Sequence, residues 1–194
     1  PFARLALMRP LFEGVAGVLF NSEPERDFAR RLFSLPAARS HVVGMGIEPF
    51  EADGADIIAR RGLRAPYLMY AGRRETGKGT PMLCDYLAAF RARTGRDVRL
   101  VLAGSGPVEA PSELLPHILD LGYAPEEEKR AAMAGALAFA HPSALESLGI
   151  VLLEAFLAGT PALVNAWSEV LTWQCRRSGA GLWFRNYPEF EAEL

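Results

Sequence analysis

The chain has 194 residues, of which half are apolar and 23% are charged, and its formal net charge is −2 at pH 7. This composition is typical of a globular protein, and the weak negative charge gives no reason to expect nucleic acid or an anionic membrane surface as a partner. No uncharged apolar run reaches the roughly 18 residues of a membrane span, since the closest, residues 148–159, contains Glu154. We therefore expect a cytoplasmic protein; peripheral attachment of the full-length protein to a membrane stays an open alternative.

Short apolar runs alternate with helical patterns along the chain. The predicted strands are residues 15–20, 41–44, 67–71, 99–103, 117–121, 136–140, 162–165 and 181–184. The predicted helices are residues 24–33, 52–61, 81–94, 125–133, 149–158 and 168–176. Strands alternating with helices of about 10–15 residues predict βαβ units and a parallel sheet. Because the strands are apolar throughout, we expect an α/β fold with helices on both faces of that sheet.

The first third of the chain predicts a domain boundary. Residues 1–46 hold two predicted strands and one helix, which is too little for a core of their own, so they are expected to be the last βαβ unit of an earlier domain. Residues 47–65 begin with a turn-rich stretch, continue with a polar one, and are predicted as a linker. Residues 66–194 form the main predicted domain. Since the chain starts with Pro1 instead of Met, we expect it to be a piece of a longer protein.

The two cysteines, Cys84 and Cys175, match neither a metal-ligand spacing nor a disulfide framework. They are predicted to be reduced structural thiols, and a single disulfide between them stays open. No metal site is predicted.

The stretch AGRRETGKGT, residues 71–80, follows a predicted strand and precedes a predicted helix. Gly72 and Gly77 allow backbone amides to approach a phosphate, while Arg73 and Lys78 add positive charge. A triphosphate-binding loop would place Ser or Thr directly after the lysine to hold magnesium, and here that residue is Gly79. The alternative is a turn whose basic side chains are simply solvated.

A second glycine turn, residues 103–107, begins like the dinucleotide-binding fingerprint with Gly104 and Gly106. Glu109 stands where the third glycine of that fingerprint belongs, and a carboxylate there opposes a pyrophosphate. Direct ligand binding and a turn that merely lines a cleft are both open for this loop.

The third loop, HPSALESLG at residues 141–149, leads from a strand into the helix IVLLEAF. Glu146 lies before the helix, and Glu154 lies roughly 7–8 Å along its axis. Backbone amides near residues 147–150 could hold a diphosphate at the positive helix end, with one carboxylate accepting ribose hydroxyls and the other sugar hydroxyls. Glu154 could instead be partly exposed or salt-bridged, and His141 could be a cleft-lining or capping residue.

Together these blocks resemble the group 1 (family 4) glycosyltransferases. The resemblance lies in Gly72-Arg73-x-x-x-x-Lys78-Gly79 followed by Pro142-Ser143-x-x-Glu146-Ser147-x-Gly149-x-x-x-x-Glu154-Ala155. It implies a retaining enzyme of the GT-B architecture, in which two Rossmann-like domains face each other, and it identifies this chain mainly with the C-terminal, donor-binding half. The implied reaction moves a sugar from a nucleoside-diphosphate sugar, which is a substrate and not a cofactor, to an acceptor hydroxyl.

The resemblance also implies residue roles. Arg73, Lys78 and Glu146 are the implied catalytic residues, the two cations neutralising the diphosphate and Glu146 contacting the donor sugar. The implied donor-binding residues are Gly72, Gly104, Tyr123, Ser147, Leu148, Gly149 and Glu154. Among these, Glu154 would hold the ribose, residues 147–149 would offer backbone contacts, and Gly122 and Tyr123 would lie beside the base, where packing is an equal alternative for Tyr123.

The sequence departs from the family where many members have a Gly-Gly turn and a glutamate, since residues 166–171 read AWSEVL. The acceptor, whether sugar, lipid or polysaccharide, is therefore not predicted. Because the resemblance implies that only the last fragment of the acceptor half is present, we expect this piece alone to bind nucleotide weakly and to be inactive or nearly so. The main alternative is a non-catalytic nucleotide-binding module. A sugar-phosphate epimerase would lack the glutamate pair, an oxidoreductase is disfavoured by Glu109, and a P-loop nucleotidase by Gly79.

Overall fold

The computed structural model describes residues 8–12, 14–33, 35–63 and 66–194. The chain divides into two compact units, residues 1–46 and 47–194. The segment predicted as a linker, residues 47–65, belongs to the second unit and contains a helix, Gly54–Arg61.

The first unit contains a parallel pair of short strands, β1 (Val18–Phe20) and β2 (Ser40–Val42), joined through helix α1 (Glu23–Phe33) and a 3-10 turn at Ala37–Arg39. The α1 helix begins where the Ser22 hydroxyl accepts a hydrogen bond from the Glu25 amide, while the Glu25 carboxylate accepts one from the Asn21 amide. A small core follows from this arrangement, formed by Phe20, Ala29, Phe33 and Leu35.

The second unit is built around a six-stranded sheet in which every pairing is parallel. Its strands are β3 (Tyr67–Ala71), β4 (Arg99–Ala103), β5 (Ile118–Gly122), β6 (Ala138–His141), β7 (Ala162–Asn165) and β8 (Gly181–Phe184). Its helices are α2 (Gly54–Arg61), α3 (Thr80–Thr94), α4 (Glu126–Ala134), α5 (Ile150–Leu157), α6 (Glu169–Ser178) and α7 (Tyr187–Glu193). The predicted strands and helices are thus confirmed with shifts of at most three residues at their ends, and α7 was not predicted.

Residues along the strands alternate between two buried cores. Tyr67 and Met69 of β3 point to one core, which is completed by side chains of α2, α4, α5 and α6. Leu68 and Tyr70 point to the other, which is completed by side chains of α3 and α7. Since both faces are covered, the strands need no polar side, and the predicted α/β fold is confirmed.

The cysteines lie in different cores. Cys84 belongs to the core on the α3 side of the sheet and Cys175 to the core on the α6 side, and both thiols are free. Burial raises the pKa of Cys84 to about 11 and that of Cys175 to about 12, so both stay protonated near neutral pH. The open alternative of a disulfide between them is excluded.

The strand order, β5-β4-β3-β6-β7-β8, places β3 and β6 side by side at the centre of the sheet. From β3 the chain winds outward through β4 and β5, whereas from β6 it winds the other way through β7 and β8. The point where the winding direction reverses opens a crevice at the carboxyl ends of the two central strands, where ligands of open α/β sheets bind. Within the described residues, every helix is too short or too polar to cross a membrane.

Candidate functional site

The loops that follow β3 and β6 meet at this crevice. A Cβ atom at Gly79 would lie 2.6 Å from the carbonyl oxygen of Pro142, and Gly79 has a φ of +75°. Only glycine fits both the backbone angle and the close approach. The Pro142 carbonyl also accepts a 2.9 Å hydrogen bond from the buried Asn165 side chain at the end of β7. The β6 loop is therefore fixed from both sides.

Lys78 and Glu146 form an ion pair across these two loops. The Lys78 Nζ atom lies 2.7 Å from Glu146 Oε1, and the two side chains are 28% and 12% exposed. Lys78 ends a 3-10 turn, Thr76–Lys78, that immediately precedes α3. A cation and a carboxylate from the two central loops thus lie together in a partly buried position at the switch point of the sheet, where its winding direction reverses.

His141, at the end of β6, lies next to this pair. Its Nε2 atom is 4.0 Å from Glu146 Oε1, and the residue is buried. Burial lowers the pKa of His141 to about 4, outweighing the opposite effect of Glu146. The imidazole is therefore neutral near pH 7, and Lys78 is the counter-charge of Glu146.

The buried imidazole predicts a pH dependence of stability. Since the pKa of His141 is about 4 in the folded chain and near 6.5 in the unfolded chain, the unfolded chain binds the additional proton between these values. The contribution is complete above pH 6.5 and falls as the pH drops toward 4, by about 3 kcal/mol. Denaturant unfolding of wild type and His141→Gln at pH 7 and pH 4.5 measures this. The wild type should lose more stability than the variant, and equal losses would contradict the prediction.

The backbone at the start of α5 is fixed by contacts with α6. Gly149 caps the helix with a φ of +69°, and a Cβ atom there would lie 2.6 Å from a methyl carbon of Leu171 in α6. The Gln174 side chain, also in α6, donates a hydrogen bond to the Leu148 carbonyl. These contacts fix the loop backbone, so that the amides of the first turn of α5 form a rigid positive end beside the Lys78–Glu146 pair.

Glu154 lies one turn further along α5 and pairs with a residue that the sequence analysis did not identify. Its Oε2 atom is 2.9 Å from Nζ of Lys129 in α4, and both side chains are 15% exposed. Lys129 also pairs with Glu126 at 2.9 Å. Burial lowers the pKa of Lys129, but its hydrogen bonds to the two glutamates outweigh this and the net pKa is raised. Of the alternatives for Glu154, the structure shows the salt-bridged one.

The neighbouring arginines of the β3 loop have opposite environments. The Arg73 side chain is 70% exposed and lies 3.5 Å from a Glu75 oxygen. Arg74 is buried, donating from Nε to the Gly106 carbonyl at 2.8 Å and from Nη1 to Asp120 at 2.8 Å. Arg74, which the sequence analysis did not single out, therefore ties the β3 loop to the loop after β4 and to β5.

Replacing Arg74 and Arg73 in turn should show that Arg74 stabilises the fold and that Arg73, which is solvated, does not. Arg74→Met leaves Asp120 without its partner and removes a hydrogen bond to Gly106, so we expect a loss of about 2 kcal/mol in the free energy of unfolding. Arg73→Met, one residue away, is the matched control and should change that free energy by less than about 0.5 kcal/mol. Chemical denaturation of both variants checks this, and comparable losses would show that the Arg74 contacts are not stabilising.

The glycine turn after β4 packs directly on the β3 loop. A Cβ atom at Gly104 would lie 2.0 Å from the Gly72 carbonyl oxygen, and the Gly72 amide donates to Ala103 at 2.9 Å. The Gly104 amide donates to Gly122 at 2.7 Å. The three loops that follow β3, β4 and β5 are therefore joined backbone to backbone, and this gives the turn after β4 a definite packing role.

Residues 58–192 match the family described as "Glycosyl transferases group 1". The chain belongs to this family.

Among curated group 1 relatives, "Alpha-D-kanosaminyltransferase" of Streptomyces kanamyceticus is 30% identical over 77% of this chain and 42% of its own length. A "GDP-mannose-dependent alpha-(1-6)-phosphatidylinositol dimannoside mannosyltransferase" of Mycobacterium tuberculosis is 36% identical over 63% of this chain and 32% of its own. "Phosphatidyl-myo-inositol mannosyltransferase" of Mycobacterium leprae is 31% identical over 82% of this chain and 43% of its own. The chain thus spans about two fifths or less of these relatives.

Solved structures show the same fold. Sucrose-phosphate synthase from Thermosynechococcus elongatus has a TM-score of 0.78 at 22% identity, with coverage of 100% of this chain and 51% of that one. WaaG, a glycosyltransferase involved in lipopolysaccharide biosynthesis, has a TM-score of 0.71 at 15% identity, with coverage of 90% and 51%. The predicted resemblance to group 1 glycosyltransferases of the GT-B type is confirmed.

The structure places the predicted site residues in different surroundings. Lys78 and Glu146 are in direct contact, with Gly149 at the helix start that follows. Gly72 and Gly104 are in close backbone contact. Arg73 and Tyr123 face solvent, and the 94% exposure of Tyr123 excludes a core-packing role. Ser147 and Leu148 lie in the loop between Glu146 and α5, Leu148 being buried. Among the described residues, no ion pair joins Glu154 to Arg73 or Lys78, and Glu154 pairs with Lys129 instead.

Proposed function

We propose that the protein containing this chain is a retaining glycosyltransferase that moves a sugar from a nucleoside-diphosphate sugar to an acceptor hydroxyl. Residues 47–194 would bind the donor. The observation that supports this most strongly is the 2.7 Å contact of Lys78 with Glu146 at the switch point, beside the start of α5. Lys78 supplies a positive charge for the phosphates of a donor, and Glu146 supplies a hydrogen-bond acceptor for the hydroxyls of its sugar.

The donor would separate the Lys78–Glu146 ion pair, because its diphosphate would bind Lys78 and its sugar would bind Glu146. The diphosphate would lie against Lys78 and the amides at the start of α5, where the helix dipole adds to the attraction. Glu146 would then exchange its ammonium partner for the hydroxyls of the sugar. Because both side chains of the pair are partly buried, their charges are partly desolvated before the donor binds.

The remaining residues would bind the parts of the donor that lie further from the reacting carbon. Arg73, whose side chain is 70% exposed, would add a second cation to the diphosphate. Glu154 would accept hydrogen bonds from the ribose, and Tyr123, exposed after β5, would stack on the base. Residues 147–149 would offer backbone contacts, and Gly72 and Gly104 would keep the floor of the crevice free of side chains.

In the transfer step, the bond between the anomeric carbon and the diphosphate breaks, the acceptor oxygen bonds to that carbon, and the acceptor's proton passes to an oxygen of the departing diphosphate. Negative charge grows on the departing diphosphate. Lys78, Arg73 and the helix dipole stabilise that charge, which is the larger part of the catalysis expected from this half of the enzyme. We assign no covalent nucleophile, and Glu146 would act by holding the sugar.

The acceptor side of the reaction belongs to the whole protein. Because this chain spans about two fifths or less of its curated relatives, we expect it to bind donor nucleotide weakly and to transfer sugar poorly or not at all when isolated. The name of one relative specifies GDP-mannose and another is named as a mannosyltransferase, so GDP-mannose is the first donor to be tried.

Sugar transfer by the full-length protein tests the proposal. GDP-mannose, UDP-glucose and UDP-N-acetylglucosamine would be supplied with simple sugar and lipid acceptors, and the anomeric configuration of the product would be read by NMR. We expect transfer with retention from one donor. Binding of a nucleoside diphosphate without transfer from any donor would favour the non-catalytic module, and inversion would overturn the retaining mechanism.

A further inference from the structure

The chain contains two lysines, Lys78 and Lys129, and nineteen arginines. Each lysine pairs with one of the two glutamates of the motif: Lys78 with Glu146 at 2.7 Å, and Lys129 with Glu154 at 2.9 Å. A lysine ammonium is a compact charge with three rotatable donors, whereas an arginine guanidinium imposes a planar, bidentate geometry. At both lysines the chain places a small cation beside a carboxylate that would also accept hydrogen bonds from the donor.

We propose that Lys129 is a positioning residue for Glu154, which it holds charged and oriented so that one carboxylate oxygen is free for the ribose of the donor. This inference rests on the proposed function, because it takes Glu154 to be the ribose-binding acid. It adds a residue on a different helix, α4, to the donor site.

The burial of Glu154 makes such a partner necessary. The helix α5, IVLLEAFL, has no other polar residue, and the Glu154 side chain is 15% exposed. An ionised carboxylate in that environment is costly without a counter-charge, and an uncharged one is a poorer acceptor for a sugar hydroxyl. Lys129 supplies the counter-charge from the neighbouring helix.

The position of Lys129 is itself fixed. It lies in the first turn of α4, where its amide donates to the Pro125 carbonyl at 3.0 Å. Its ammonium is held from the other side by Glu126, whose side chain is 61% exposed. The ammonium therefore bridges a solvated carboxylate and a buried one and contacts Glu154 through Oε2, which leaves Oε1 as the oxygen for a ligand.

This arrangement predicts a specific defect. In Lys129→Met the apolar part of the side chain is kept and the ammonium is lost, so Glu154 loses its counter-charge and its fixed orientation. The variant should lose the part of the affinity that comes from the ribose hydroxyls of a nucleoside diphosphate. The part that comes from the phosphates should be little changed. A 2′,3′-dideoxynucleoside diphosphate, which has no ribose hydroxyls, isolates this difference.

The experiment measures the dissociation constants of UDP, GDP and ADP for the 194-residue chain by calorimetry, and then that of the dideoxy analogue of the tightest binder. In wild type we expect the ribose form to bind about 100-fold more tightly than the dideoxy form. In Lys129→Met the ratio should fall below about 10-fold, and Lys129→Arg should recover part of it.

Arg130→Met is the matched control, since it removes a cation at the next position, where Arg130 stacks on Phe50. It should leave the ratio unchanged. An unchanged ratio in Lys129→Met would overturn the positioning role, even if the variant were less stable, because a purely structural lysine affects both ligands equally. If wild type does not show even the weak binding expected of the isolated chain for any of the three diphosphates, the donor site assigned to residues 47–194 fails, which is a failure of the proposed function and not of the Lys129 inference.

Discussion

Lys78→Met is expected to weaken the binding of nucleoside diphosphates to this chain by about 100-fold. Removing the ammonium takes away a charge-assisted hydrogen bond to the diphosphate. It also leaves Glu146, 12% exposed beside a neutral His141, without a counter-charge and facing the phosphates. Both effects act in the same direction. Calorimetric titration with UDP, GDP and ADP measures the change.

The specificity of this effect is tested with a second ligand and a second variant. The corresponding nucleosides lack phosphates, so their affinity should change by less than about threefold in Lys78→Met. Arg93→Met removes one positive charge from an exposed ion pair with Glu191 at the far end of α3 and should leave diphosphate binding intact. An equal loss of affinity for nucleosides and diphosphates would show that Lys78 acts only on the fold.

Gly104→Ala is expected to lower the free energy of unfolding by about 3 kcal/mol or more. The added methyl group would lie 2.0 Å from the Gly72 carbonyl oxygen, and the φ of +125° at Gly104 disfavours any side chain. The obstructing atom belongs to backbone, so the β3 and β4 loops must separate to admit it. Denaturant unfolding measures the loss.

Gly95→Ala is the matched control for Gly104→Ala. Gly95 also has a positive φ, +70°, but a Cβ atom there meets nothing within 4 Å. It should cost only the backbone strain of about 1–2 kcal/mol. If both variants lose the same stability, the contact between the loops contributes nothing beyond that strain.

Much of the second unit could be predicted from sequence because its strands are apolar and are separated by helical patterns. Residues 67–71, 99–103 and 162–165 were placed to the residue. The helix α7 was missed because it has seven residues and only Phe190 is buried. Its start depends on Asn186, whose side chain accepts from the Glu189 amide, and so short a polar segment shows no clear period.

The candidate site was predictable where its residues belong to recognisable motifs and not where a partner lies outside those motifs. Lys78 and Glu146 were singled out from motifs, and the parallel order of β3 and β6 explains why they meet. Lys129 was not, because the sequence 126–130 reads as an exposed charged turn of helix and nothing in it points to Glu154. Of two adjacent arginines, only the structure distinguishes buried Arg74 from exposed Arg73.

The presence of just two lysines allows the central claim to be measured directly. A chain labelled with ¹⁵N at the lysine Nζ atoms should give two side-chain ammonium signals by NMR, and Lys78→Met would assign them. Saturation with the nucleoside diphosphate that binds best should shift the Lys78 signal strongly, and the corresponding nucleoside should not. Binding that leaves the Lys78 signal unmoved would contradict a donor site built on the Lys78–Glu146 pair.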